Sequence, residues 1–529
     1  MKAATLSSIG PAEVIRGLLR PEAYAHPVDT IELKETHGAW VVLAGQYAYK
    51  LKKPVDFGFF DYSTSERRTA DAEAEVRLNR RLTPSTYLGL VDVVERDGRI
   101  HVGGEGRVLE RAVWMRRLPE AGMLTTLLRQ GAVSSRLIRR IARLMAGFHR
   151  DAPTGPGVNE FGEQPNLAAN WRENFDQMGP YVGVTVPADQ LEAIKRYVER
   201  FLESRRELLD RRVAQGRIRD GHGDLHAGSI CIVDREIVVF DCIQFSARYR
   251  CADVAAEVAF LSMDLDHVGR ADLGWAFVDE YVKRSGDNEL ADLLEFYKCY
   301  RAFVRGKVLS LRLGQRTLSE DERQNVTGQA RFYFDLATAY TDSILRPRLV
   351  VMSGLPASGK TTLARALASR LGLVYLSTDV TRKRRAGMQS TDRAPAAFGA
   401  GLYQADATRA TYAQLRRETV RWLRRGVSVV LDGTFGSPHQ RDLARELALR
   451  HHAGFSLVVT ACDEATTRSR IEDRQQDPAN VSDATWTTYE AMRRAYSAPD
   501  EVPDDEKFID LSGGDDADGV VALLLTGSD

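Results

Sequence analysis

The chain has 529 residues, 43% hydrophobic and 28% charged, the make-up of a globular protein with apolar material for more than one core. Its 73 basic and 73 acidic residues cancel, which excludes a basic nucleic-acid-binding protein overall; at roughly 150 residues per domain, three or four lobes are expected. No run of about 18 apolar residues offers a membrane span, and MKAATLSSIGPAEVIRGLL lacks the apolar stretch of a signal peptide. The five cysteines (Cys231, Cys242, Cys251, Cys299, Cys462) form no CxxC pair, arguing against structural zinc or a disulfide frame and for a reducing cytoplasm.

Residues 1–120 read as a strand-rich lobe. TIELKE, AWVVLAG and QYAYKLKK alternate as strands do and are separated by HG and GQ turns. STSERRTADAEAEVRLNRRL then runs twenty residues without Gly or Pro and predicts a helix. Two further strand-like runs follow, LVDVVER and VLERAVWMRRL.

Residues 121–345 read as a helical lobe. SSRLIRRIARLMAGFHR sets Leu137, Ile141, Leu144 and Phe148 at helical spacing, a stripe read as core. LADLLEFYKCYRAFVRGKVLSLRL is a second long amphipathic run. Between them lies DGHGDLHAGSI, followed by the apolar strand EIVVFD.

Arg346-Pro347-Arg348 interrupts the helices, and residues 348–529 restart as a third region. LVVMS, LVYLST, SVVLDGTF and FSLVVTAC alternate with helical stretches, which predicts a parallel sheet covered by helices on both faces. From Asp500 onward this region carries ten acids and one lysine. The body before that tail has 23 basic and 14 acidic residues, a balance that suits polyphosphate.

GLPASGKT fits G-x-x-x-x-G-K-[ST] between a strand and a helix. In this motif the backbone of Gly354, Leu355, Pro356, Ala357, Ser358 and Gly359 turns N–H groups toward phosphates, at the positive end of the following helix. Lys360 reaches the β/γ oxygens, the Thr361 hydroxyl takes a Mg²⁺ position, and Thr362 follows in the first helical turn. ATP or GTP binding is expected here.

Three features further along suggest a kinase. Asp379 ends the second strand of this region, where a carboxylate can take the proton of an acceptor hydroxyl; its bland alternative is a helix N-cap. Arg382, three residues on, shares its helical face and is placed to clamp the acceptor. Asp432 ends the third strand, where an acid would hold Mg²⁺, or merely precede a turn. Arg468, Arg470 and Arg474 are spaced along one helix as a phosphate-closing lid requires, or as a solvated face. Residues 348 to about 500 resemble the P-loop kinases that include gluconate and shikimate kinases, chloramphenicol phosphotransferase, zeta toxins and the 5′-kinase part of polynucleotide kinases. The resemblance implies Asp379 as general base and Arg470 and Arg474 in or near the lid.

The loop at His222 repeats the theme in other parts. A kinase-type catalytic loop keeps an Asp to orient the attacking hydroxyl, an Asn for Mg²⁺, and a second Asp on the next strand for the metal. Asp224 and Asp241 suit the first and last roles. Lys50 and Lys52 point to one face of a strand, and Glu75 is the ion-pair partner expected on the next helix, with Glu73 and Glu66 as rivals. HGDLH, YKLKKPVDFGFFDYST and FDCIQF resemble the aminoglycoside phosphotransferase/choline-kinase superfamily, in the branch of bacterial proteins that fuse such a domain to a small P-loop kinase; the likeness covers nearly the whole chain. It implies a two-lobed α+β fold with Lys50 on the α/β-phosphates and Asp224 as base. The chain departs from the pattern twice: Ser229 stands at the Asn position as a shorter metal ligand, and Gln244 replaces a Glu, removing a charge beside the metal. His222 is expected to brace the loop through backbone.

The expectation is a Mg²⁺- and ATP-dependent cytoplasmic fusion of two kinase-like modules. The second phosphorylates a small hydroxylated molecule and the first a sugar or amino-sugar. Two alternatives stand beside it: a first module that only binds a ligand and regulates the second, and a second module that acts on nucleic-acid 5′ ends or nucleotide-sugars.

Overall fold

The computed structural model describes residues 9–56, 58, 61–315, 318–342, 347–389, 392, 401–476, 485–510 and 513–526. The chain forms two compact units, each discontinuous in sequence. The first comprises Met1–Leu167, Glu207–Leu261 and Glu280–Gly286; the second comprises Ala168–Arg206, Ser262–Asp279 and Asp287–Asp529. Helices of the middle region are therefore divided between the two. Among the described residues no helix is long and apolar enough to cross a membrane.

The first unit is built on six antiparallel strands: β1 (Ile31–Glu35), β2 (Ala39–Ala44), β3 (Tyr47–Lys52), β4 (Tyr87–Arg96), β5 (Arg99–Val102) and β6 (Arg107–Arg116), in the order β1-β2-β3-β6-β4-β5. Strand β5 is an addition to the expected set. Asp97 and Gly98 both take positive φ (53° and 72°), the backbone of a tight two-residue hairpin, and so fold the short run RIHV back on β4. Helix α1 (Ser65–Asn79) starts where Thr64 Oγ1 accepts the Arg67 N–H at 3.3 Å, an N-cap. Its buried face carries Ala72, Val76 and Leu78, but also Glu75. A charge on a buried helical face requires partners, and these define the site below.

Helix α2 (Ser135–Asp151) is amphipathic as expected, with its face rotated by one residue. Ile138, Ile141, Ala142, Met145 and His149 are buried; Leu137, Leu144 and Phe148 are half-buried at the margin. The rotation brings His149 inward to a carboxylate on helix α3 (Val254–His267). The HGDLH loop runs between β7 (Ile218–Asp220) and β8 (Ile230–Val233). β8 pairs with β9 (Glu236–Val239), and β7 with β10 (Cys251–Asp253). At the end of β10, Asp253 grips the fully buried Arg212 through two hydrogen bonds of 2.8 and 2.6 Å and accepts the Ala255 N–H at 2.8 Å.

The second unit joins helices to a five-stranded parallel sheet: β11 (Arg348–Ser353), β12 (Val374–Ser377), β13 (Val429–Asp432), β14 (Gly454–Thr460) and β15 (Lys507–Asp510), in the order β12-β13-β11-β14-β15. Leu349, Val350, Val351 and Met352 of β11 are all fully buried, as a central strand covered on both faces requires. Helices α4 (Ala291–Arg312) and α5 (Glu320–Asp342) approach closely at Gly306, whose absent Cβ would lie 2.9 Å from Phe334. Helix α6 (Lys360–Leu371) packs on α5, with Arg370 Nε donating to Asp335 Oδ2 at 3.1 Å. The acidic tail contributes β15 and the helix Ala517–Thr526, whose Val520, Val521 and Leu524 are buried in the sheet's core. On the edge strand β15 the acid Asp510 is buried and the apolar Ile509 is exposed.

Replacing Asp253 with Ala takes both carboxylate hydrogen bonds from the buried Arg212. Urea unfolding of the first unit should be destabilised by about 3–5 kcal/mol, whereas the paired change Arg212→Met/Asp253→Leu should recover most of that loss.

Candidate active sites

In the second unit the chain leaves β11 at Ser353 and turns through Gly354 into α6. Gly354 (φ 146°), Ala357 (φ 64°) and Gly359 (φ 89°) take left-handed or otherwise strained backbone. A Cβ on Gly354 would lie 2.4 Å from the Thr460 carbonyl oxygen, and one on Gly359 would lie 1.8 Å from that of Gly513. Only glycine fits either place. Leu355 and Pro356 are half-buried, Ser358 is buried with its hydroxyl 2.7 Å from that of Thr460, and Thr362 is exposed on the first turn of α6.

Lys360 Nζ lies 2.5 Å from the Leu355 carbonyl, folded over the loop that it would serve. The Thr361 hydroxyl donates to Asp432 Oδ2 at 2.8 Å, at the end of β13. The Tyr375 hydroxyl donates to the same oxygen at 2.6 Å. A hydroxyl and a carboxylate meeting below a glycine-lined anion cradle are the donor set that a hard divalent cation takes, with water and phosphate oxygens completing it. The residues present therefore fit Mg²⁺ and a nucleotide triphosphate.

Asp379 is the second residue of helix α7 (Thr378–Arg385). Ser377, not Asp379, occupies the N-cap position. Asp379 Oδ1 accepts from Arg382 Nη1 at 2.9 Å. Desolvation pushes its carboxyl above the usual range; Arg382 and Lys360 oppose that rise and Asp432 adds to it. Arg382 is nine-tenths buried, its guanidinium 4.5 Å from the Tyr403 ring centre and its Nε without a hydrogen-bond partner among the described residues.

On helix α9 (Glu464–Gln476), which follows α8 (Ala405–Leu423), Arg470 Nη1 donates to the Gly513 carbonyl at 2.6 Å and reaches that of Ala357 at 3.5 Å. Arg468 stacks on Trp486 instead, 4.3 Å from its ring centre. The side chain of Arg474 lies outside the described residues. The Gly513–Gly514 turn, held by Asp510 Oδ2 accepting the Gly514 N–H at 2.7 Å, thus closes over Gly359. Sequence reading passed over this turn and Tyr375. The turn had a signal, a glycine pair directly after a strand; Tyr375 had none.

In the first unit, Lys50 on β3 faces inward between Val41 and Val113. Its Nζ lies 2.8 Å from Glu75 Oε1 and 2.7 Å from Asp241 Oδ1. Lys52, two residues on and on the same face, lies 2.5 Å from Glu75 Oε2 and 2.7 Å from Asp71 Oδ2. Of the two lysines, Lys50 is the one that bridges helix α1 and Asp241. Glu73 forms only a distant, exposed pair with Arg111. Burial opposes the charge of Lys50, yet Asp241 and Glu75 hold its ammonium well above the usual lysine range. Lys50 in turn holds Asp241 below the usual carboxylate range, against desolvation.

Asp241 sits at φ 64°, a left-handed conformation that costs a non-glycine residue about 1–2 kcal/mol. Its N–H donates to the Tyr87 hydroxyl at 3.2 Å, and the next N–H, of Cys242, to Asn79 Oδ1 at 2.9 Å. Side chains of β4 and α1 therefore hold the bend that aims Asp241 at Lys50. The N–H of Asp224 donates to His222 Nδ1 at 3.3 Å, and His226 Nε2 lies 3.4 Å from Asp224 Oδ2. His222 is buried, with Nε2 donating to the Phe240 carbonyl at 3.0 Å, a brace for the loop.

Ser229 and Gln244 have partners that their sequence positions do not announce. The Ser229 hydroxyl is turned into its own loop: it lies 3.0 Å from the Asp224 carbonyl and 2.9 Å from that of His226, and accepts the His226 N–H at 3.1 Å. With the residue only 2% exposed, its hydrogen and one of its two lone pairs are engaged within the loop. Gln244 does not stand as a missing charge beside Asp241. Its Nε2 donates to Asp71 Oδ2 of helix α1 at 3.0 Å.

Beneath the loop lies Glu257, for which the sequence carried no signal. Its Oε1 accepts the N–H groups of His222 (2.5 Å) and Gly223 (2.7 Å), and its Oε2 pairs with His149 Nε2 at 2.8 Å. His149 Nδ1 lies 2.8 Å from the Tyr281 hydroxyl. A Cβ on Gly221 would lie 2.0 Å from Glu257, so the loop rests directly on the carboxylate.

A model of the phosphotransferase enzyme family matches residues 40–300, and a model described as an AAA domain matches residues 349–499. Rv2004c of Mycobacterium tuberculosis, an uncharacterized protein, is 35% identical over 432 residues, covering 81% of this chain and 84% of its own length. A shikimate kinase of Thermobifida fusca is 52% identical over 44 residues, 8% of this chain and 26% of that enzyme. A choline/ethanolamine kinase family protein of Mesorhizobium loti superposes over 63% of this chain and 94% of its own, with 12% identity and a TM-score of 0.38.

Burial alone would raise the Glu257 carboxyl; hydrogen bonding and charge from His149, then His222 and the Gly223 N–H, bring it down to about 2. A depressed folded-state pKa stabilises the fold above the unfolded-state value, and that stabilisation is lost as pH falls through the folded value. The stability gap between the wild type and Glu257→Gln should close as pH falls from about 5 toward 2; urea midpoints across that range measure it.

Proposed function

The chain belongs to one family with Rv2004c and is a kinase built from a phosphotransferase-family domain and a P-loop domain, and we propose that the P-loop module phosphorylates a hydroxyl of a small molecule. The observation that carries this reading is the Thr361–Asp432 contact at 2.8 Å below the glycine cradle, with Asp379 coupled to both Asp432 and Lys360.

In this reading ATP binds with its phosphates on the backbone of 354–359, and Lys360 swings from the Leu355 carbonyl to the β/γ oxygens. Thr361 and Asp432 hold Mg²⁺, which when bound neutralises phosphate charge. Asp379, its basicity raised by desolvation, takes the proton of the acceptor hydroxyl. Arg382, stacked on Tyr403 with Nε unpaired among the described residues, orients the acceptor. Arg470 ties the lid helix to the cradle, so its motion and phosphate closure are linked.

For the first module we infer a phosphotransferase site with Lys50 on the nucleotide phosphates, Glu75 as its partner, Asp224 as base and Asp241 as the metal ligand, acting on a sugar or amino-sugar. The Ser229 geometry favours a second reading of this module as a nucleotide- or ligand-binding regulator, because the Ser229 hydroxyl is engaged within its own loop.

Lys360→Ala in the full chain should abolish product of the P-loop module, and Asp379→Asn should lower its turnover by about 10²- to 10⁴-fold with little change in ATP affinity. Turnover that survives Lys360→Ala would overturn the assignment. Product analysis of Asp224→Asn separates the two readings of the first module: loss of a distinct phosphorylated product marks a catalyst, and an unchanged product set with altered rate marks a regulator.

A further inference from the structure

Lys52, Asp71 and Gln244 take no part in the mechanism above, yet they are joined to it by a closed ring of contacts in the first unit. Lys50 Nζ bonds Glu75 Oε1 (2.8 Å), Glu75 Oε2 bonds Lys52 Nζ (2.5 Å), Lys52 Nζ bonds Asp71 Oδ2 (2.7 Å), and Asp71 Oδ2 accepts from Gln244 Nε2 (3.0 Å). Gln244 is three residues from Asp241, which returns to Lys50 at 2.7 Å. The Tyr62 side chain hydrogen-bonds both Asp71 and Gln244. The side chains of Lys52 and Asp71 are 3% and 8% exposed, and that of Glu75 is fully buried.

We propose that Gln244 and Lys52 are positioning residues of the N-terminal site, forming with Asp71 a latch that fixes helix α1 to the segment carrying Asp241 and so sets Lys50 for nucleotide. This rests on the reading of that site as a nucleotide site. The charges explain why position 244 is an amide. The ring holds two ammonium groups and three carboxylates. Gln244 contacts the Asp71 oxygen that Lys52 already shares, and it does so as a donor. A glutamate there would set two carboxylates at hydrogen-bond distance in a largely dry site, so that one must take up a proton from solvent or the two must part. The latch would open, leaving the Asn79–Cys242 hydrogen bond and the Lys50 bridge between α1 and the segment carrying Asp241. Glu75 could then shift, and Lys50 with it. The glutamine is thus the counterpart of Asp71, and its departure from the family pattern marks a changed partner, not a lost function.

The test uses the full chain with Lys360→Ala, so that nucleotide signal comes from the first module. Mg·ATP affinity is measured by calorimetry in this parent, in Gln244→Glu, and in the charge swap Asp71→Asn/Gln244→Glu, which restores an amide-to-carboxylate bond in the opposite sense. Gln244→Glu should weaken affinity by about tenfold or more, and the swap should return it to within about threefold of the parent. A swap no better than Gln244→Glu, or a Gln244→Glu variant that binds as the parent does, overturns the latch. A parent that binds no Mg·ATP defeats the reading of the site as a nucleotide site. In that case a second readout still decides the latch: acylation of Lys50 by a small amine-reactive ester, mapped by peptide mass spectrometry. Labelling should rise in Gln244→Glu and fall back in the swap; unchanged labelling in Gln244→Glu refutes the latch with or without nucleotide.

Discussion

A carboxylate without solvent governs the first unit. Glu75 lies on the buried face of α1, where an unpaired charge would cost several kcal/mol. It stays ionised because Lys50 and Lys52 each take one of its oxygens, and their charge outweighs the desolvation that would raise its pKa. Much of the site follows from that demand. Two lysines must leave β3 on one face, and each needs a further anion, which Asp241 and Asp71 supply. Asp241 meets Lys50 only through a left-handed backbone held by Tyr87 and Asn79. Local strain at this position is maintained by contacts from two other elements, the arrangement expected of a functional bend.

The second unit handles phosphate by a different means. Its cradle is backbone at the start of a helix, where N–H groups lack intrahelical partners and attract anions without desolvating a side chain. What such a loop needs is space, and the approach of Thr460 to Gly354 and of Gly513 to Gly359 leaves none for a Cβ. The acidic components stand around it: Asp432 at the end of one strand, bonded by Thr361 and Tyr375, and Asp379 after another, bonded by Arg382. One chain thus builds one site around side-chain cations and the other around main-chain dipoles.

Both sites depend on buried polar groups that brace a loop from behind. Glu257 supports the HGDLH turn and Asp510 the Gly513–Gly514 turn, each by accepting backbone N–H groups that would otherwise be unsatisfied. Ser229 does the same from within its loop. Its hydroxyl reaches the backbone carbonyl five residues back, because a serine side chain is short. Gln244 illustrates the same lesson across the fold, since its partner Asp71 is 173 residues away.

The sequence by itself determined the parts whose chemistry is local. The glycine cradle with Lys360 and Thr361, the alternating β and α of the last region, the strand lysines and the order of Asp224 and Asp241 were all legible, because spacing along one strand, turn or helix dictates them. Tertiary structure decided what depends on distant partners. It set which face of α2 is buried, since His149 answers to Glu257. It made an acidic tail the fifth strand of a sheet, since pairing with β14 and the bond from the buried Asp510 to the Gly514 N–H fix it there. It divided the middle helices between two units, turned Ser229 inward, and gave Gln244 to α1. Hydrogen bonds and ion pairs between residues far apart in the chain leave no period or spacing behind, and so only the folded chain records them.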